Sequence, residues 1–172
     1  ALAPAISTNL LSAGESAPFW LRSAGAVGAA VTAVALARKP LTAHIGKTLL
    51  QAVAIFGALT ILVAFSRNLA ITLFLFAALA AADMVSVFIR ATIVPLATPD
   101  SLRGRVLAVE AVFIGASNEL GAFESGITAE WFGLAPAIII SGIATILVVL
   151  LFTIFVPDLR KLNHCDEITD GM

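Results

Sequence analysis

Charge is what this sequence lacks most. Only 12% of its 172 residues are Asp, Glu, Lys or Arg, against 60% apolar, and the mean hydropathy is +1.04. Soluble domains run at about 25% charged and about half apolar, because they need polar surface to cover a core. A chain this apolar has too little to cover its outside, which excludes a soluble binding module and places the chain in a membrane. The formal net charge of -1 removes any global bias toward nucleic acid or acidic partners. Cysteine is nearly absent as well. Cys165 stands alone, so no intrachain disulfide is open to it, and His164–Cys165 is no metal site. Catalytic signatures are missing too: no GxSxG, HExxH or GxxxxGK[ST] run occurs, and the two histidines, His44 and His164, fall in polar connections. The sequence therefore predicts no enzyme and no cofactor. The opening ALAPAISTNLL also has no basic stretch followed by an apolar run and a cleavage site, so it does not read as a signal peptide. We expect the chain to begin partway through a longer protein.

What is present is a series of long apolar segments. About 20 mostly apolar residues carry a helix across the roughly 30 Å hydrocarbon core, and backbone groups in lipid must be satisfied within the segment, so spans of this length are helices. The predicted fold is an all-α, polytopic helix bundle with spans at 19–37, 49–65, 69–92, 106–127 and 131–156, a membrane domain over 1–157 and a cytoplasmic tail over 158–172. The first span carries the small-residue stretch AGAVGAAVTAVALA, suited to close helix packing. The second has only Gln51 as a polar interruption, and the fifth has no charge at all. The fourth holds Glu110, Asn118, Glu119 and Glu124. A central acid costs about 2.5–3.5 kcal/mol while each large apolar residue returns only about 0.3–0.6, so this helix is expected to pack inside a bundle or face a watery cavity.

Basic residues orient the bundle. Arg38, Lys39, Lys47, Arg103, Arg105, Arg160 and Lys161 collect on one side, with Arg90 toward it, while Arg67 and Arg22 lie toward the other. The positive-inside rule puts the connections at 38–48 and 97–105 and the C-terminus in the cytoplasm, and Trp20 and Trp131 at the opposite interface. Pro40 stops the first span. In TPDSLRGR, Thr98 and Asp100 are expected to cap the fourth span, with Pro99 at the turn.

The ionisable and polar residues inside the spans are the candidate site. Asp83, Ser86 and Arg90 share one helical face by their i, i+3, i+7 spacing. Glu110, Ser117, Gly121 and Glu124 share a face of the fourth span, with Glu119 pointing elsewhere. Arg90 and Glu110 fall at similar depth, so an intramembrane ion pair is expected, since neither charge is tolerable alone there. A carboxyl group taken out of water favours its neutral form, which makes Asp83 and Glu119 candidates for a proton or cationic-substrate site. The competing reading is a hydrogen-bonding group that locks helices together, and both readings stand for these two residues. Glu124 lies near the outer surface, and Asn118 fits interhelical hydrogen bonding as well as ligand binding. Gly25, Gly28, Gly115, Gly121 and Gly126 are expected to serve packing.

The run ATPDSLRGRVLAVEAVFIGASNELGAFESG at 97–126, with AADMVSVFIRATIVPL before it, resembles a signature of the major facilitator superfamily, nearest to its branch of siderophore (enterobactin) exporters. That resemblance implies the last five of twelve helices, with ALAPAIS as the end of the seventh and an N-terminal half of the same protein as partner. It implies an efflux permease of the bacterial plasma (inner) membrane that exports siderophore-like or drug-like small molecules by alternating access, with protons as the coupling ion. By the same resemblance Asp100, Arg103, Gly104 and Arg105 form a cytoplasmic gating loop, and Arg90, Asn118, Glu119 and Glu124 match polar positions of the signature. Glu110 and Ala122 depart from it, the first where a neutral polar residue is common and the second where an acid is. A non-transporting membrane protein that keeps the fold is the alternative.

Overall fold

The computed structural model describes residues 6, 16–39, 44–96 and 98–155. Among them are five α-helices long and apolar enough to cross a membrane, and no strand: α1 (Ala17–Arg38), α2 (Ile45–Phe65), α3 (Leu69–Leu96), α4 (Asp100–Phe132) and α5 (Leu134–Phe155). The expected all-α bundle is what forms. The readings on Pro40, Arg160, Lys161, His164, Cys165 and the 158–172 tail lie outside the described residues. Large apolar side chains are exposed along every helix, among them Val31, Leu62, Phe74, Phe123 and Ile154. Outward-facing apolar surface on all five helices suits lipid as the surrounding solvent.

Glycine sets how closely the helices approach. A Cβ on Gly28 would overlap the backbone of Ala77, which brings α1 tightly against α3. Gly57 and Gly142 do the same for α2 and α5: a Cβ on Gly57 would lie 2.9 Å from Ile146 Cγ1, and one on Gly142 would lie 2.9 Å from the Gly57 carbonyl oxygen. Backbones this close gain dispersion contacts that lipid tails cannot supply. Gly25 has ordinary contact with Ala80. Gly115, Gly121 and Gly126 differ from expectation, since among the described residues nothing lies within 4 Å of a Cβ placed on any of them.

The core sits at one end. Leu21, Val63, Ala64, Leu75 and Ile138 are buried together with Ile6. They come from the start of α1, the end of α2 and the starts of α3 and α5, the end remote from the basic connections. There Asn68 closes the short α2–α3 connection, its Oδ1 accepting from the Ala70 and Ile71 amides at 2.9 and 3.4 Å. Thr72 is fully buried, with its hydroxyl 2.8 Å from that of Ser66.

α4 is the exception to the packing. It has 33 residues, about 50 Å at 1.5 Å per residue, and none of them is buried. It touches α5 and only sparsely α3. The expectation that this helix packs inside the bundle is therefore not met among the described residues. Its end also differs from the sequence reading. Gly133, at φ 86 and ψ 164, breaks the chain between α4 and α5, so Trp131 closes α4 instead of opening the next helix. The apolar run continues straight across that break, and only a glycine tolerates the backbone conformation that makes it.

Candidate functional site

Away from the buried core the helices part around a cavity of about 730 Å³. α2 supplies Leu49, Val53 and Phe56, α5 supplies Val149 and Phe152, and this wall is apolar. α3 supplies Ala82, Asp83, Ser86 and Arg90, so the polar face read from the i, i+3, i+7 spacing is the face turned to the cavity. α4 contributes Ser117, and Thr145 closes the α5 side with its hydroxyl donating to the Ser141 carbonyl at 2.9 Å. A second cavity of about 370 Å³ adjoins the first, sharing Asp83, Arg90 and Ser117, and is completed by Val87, Phe113, Ile114 and Asn118.

These two cavities sort the candidate residues. Asp83 and Arg90 line both, and Asn118 lines the smaller one. Glu119 and Glu124 line neither and are exposed, the carbonyl of Glu124 accepting from the Thr128 hydroxyl at 2.7 Å. Ser117 was missed as a site residue. Its place on the α4 face was legible, but which neighbour that face meets was not.

Arg90 and Glu110 do not form the expected ion pair, and the ion pair among the described residues is Arg103–Asp100. The reason is the placement of α4, which lies off the side of α3 with too few contacts to bring a carboxylate to the guanidinium. Glu110 is half-buried, and Arg90 Nε is buried without a hydrogen-bond partner. A buried unsatisfied donor costs about 1–3 kcal/mol, more for a charged group, so among the described residues Arg90 is the group in the cavity that needs an acceptor brought to it.

At the basic end, α3 and α4 are joined by a clamp. Arg103 Nη2 lies 2.6 Å from Asp100 Oδ1, and its Nε donates to the Pro95 carbonyl at 3.1 Å. The expected capping differs. Pro99 is the N-cap of α4, no side chain caps it, and the Thr98 hydroxyl turns back to donate to the Val94 carbonyl at 2.6 Å. Thr98 thus finishes α3, and Asp100 serves Arg103. Gly104 stands in open space, and Arg105 is exposed.

A bundle of membrane-length helices around a cavity that combines an apolar wall with an acid and a base belongs to the class of polytopic membrane proteins built for handling small solutes. The family model described as transmembrane secretion effector, of the major facilitator type, matches residues 1–170, and the chain belongs to that family. No curated protein and no solved structure matches the chain significantly.

Proposed function

We propose that the chain is the C-terminal part of a secondary active transporter that exports small molecules by alternating access, coupled to protons, in the bacterial plasma membrane with its C-terminus in the cytoplasm. The observation that carries this reading is the cavity in which Asp83 and Arg90, on a helix long and apolar enough to cross a membrane, face apolar walls. Ionisable side chains are costly there and mark ion and solute pathways. Asp83 is the proton carrier in this reading, because it lines both cavities, and Glu119 and Glu124 take no part in the described geometry. The exposed polar groups of α4 support a further helical half. Glu119 facing lipid would cost about 2.5–3.5 kcal/mol, which protein or water against that face would relieve. The five helices are then the last five of twelve.

The test is flux. Proteoliposomes holding the full protein should accumulate substrate when a pH gradient is imposed, and Asp83→Asn should abolish that dependence while leaving substrate exchange. Absence of flux across a panel of siderophore-like and drug-like compounds, with unchanged folding in Asp83→Asn and Glu119→Gln, would return these residues to a purely structural role.

A further inference from the structure

We propose that the larger cavity takes an amphipathic organic monoanion, its charged head on Arg90 and its apolar body against Val53, Phe56 and Phe152. This rests on the transport reading of the same site and names its substrate class. Among the described residues Arg90 is the single cation lining the cavity, has no ion pair, and keeps its buried Nε without an acceptor. Water can accept a hydrogen bond there but leaves the half-buried guanidinium without a counter-charge, and taking a charge out of water unpaired is costly. A carboxylate, sulfonate or phosphate head compensates both, and the guanidinium fork matches such groups with two parallel hydrogen bonds. The volume, about 730 Å³, lies in the range that holds a drug-sized molecule. The wall opposite Arg90 offers hydrocarbon and aromatic surface, which selects an apolar body over a sugar or a peptide backbone. Asp83 restricts the charge. Its backbone lies two helical turns from that of Arg90, about 10.5 Å along the axis, the two side chains do not pair, and its carboxylate in the same cavity disfavours a second anionic group on the ligand.

The probe is tritiated 2-naphthoate, an aromatic body with one carboxylate, bound to the purified full protein in lipid nanodiscs, with 2-naphthalenemethanol and 2-naphthylmethyl-trimethylammonium as neutral and cationic competitors. The expected result is that Arg90→Gln weakens naphthoate at least about tenfold, while the neutral alcohol changes by less than about twofold and Arg90→Lys falls between. Unchanged naphthoate binding in Arg90→Gln, or a wild-type preference for the cation, overturns the inference. Should Arg90→Gln fail to fold, Arg90→Lys decides: preference for naphthoate over the alcohol supports the anion site, and its loss of all charge preference overturns it. Flux of cationic compounds that ignores Arg90 would overturn the anion site and leave transport standing. Arg90-dependent naphthoate binding without flux of any compound would support the anion site and overturn transport.

Discussion

Arg103 holds Pro95 and Asp100 at once: its Nε donates to the carbonyl of the proline in the last turn of α3, and its Nη2 meets the carboxylate that begins α4. One planar side chain thereby ties together two helices that otherwise touch sparsely. The pair is largely solvent-exposed, at 44% for Arg103 and 88% for Asp100, so it contributes at most about 1 kcal/mol to stability. On the transport reading its effect would be on motion. Arg103→Ala and Asp100→Asn should leave thermal stability in detergent nearly unchanged and lower the flux rate severalfold. Arg103→Lys should not restore it, because an ammonium cannot serve both acceptors in one plane. Wild-type flux in Arg103→Ala would show that the clamp is idle.

The glycines separate into two groups that stability measurements should distinguish. Gly28→Val and Gly142→Val drive side-chain atoms into a facing backbone, and should each destabilise by about 1–3 kcal/mol or more, read as a lower melting temperature and a broadened gel-filtration peak. Gly115→Ala and Gly121→Ala meet nothing among the described residues, and in these 172 residues alone should be neutral or stabilising by up to about 1 kcal/mol, since alanine favours helix over glycine.

Gly133→Ala tests the break between α4 and α5. Its φ of 86 with ψ of 164 lies in a region essentially reserved for glycine, so an added Cβ should cost about 1–3 kcal/mol although the nearest contact, Pro136 Cδ, is 3.9 Å away. A melting temperature equal to wild type would mean the turn has other conformations open to it.

Orientation is open to direct labelling. Single cysteines at Lys39 and Arg67 in a cysteine-free background should react with a membrane-impermeant maleimide from opposite sides, Lys39→Cys from the cytoplasm and Arg67→Cys from outside. Labelling of both from the same side would remove the alternating topology.

The helices and their solvent were legible because composition and span length answer to one-dimensional quantities. So was the polar face of α3, since a 3.6-residue period fixes which side chains share a side. Lateral distance is a different matter. Arg90 and Glu110 have compatible depth, but depth says nothing of how far α4 stands from α3, and the two do not pair. The same gap explains the glycines. Gly57 and Gly142 look no different in sequence from Gly115 and Gly121, yet only the first two have a partner helix pressed against them. Gly133 was hidden by an apolar run that passes through the turn without interruption, although a glycine followed by Pro136 three residues later is a stop signal of the kind helices use.

Leu21, Val63, Leu75 and Ile138 are packed together at the tryptophan end of the bundle, while Leu49, Arg90 and Phe152 border the cavity nearer the opposite end. Arg38, Lys39 and Lys47 lie at that same end, so on the transport reading a negatively charged solute would be drawn toward it, and release on the far side would require the packed end to separate.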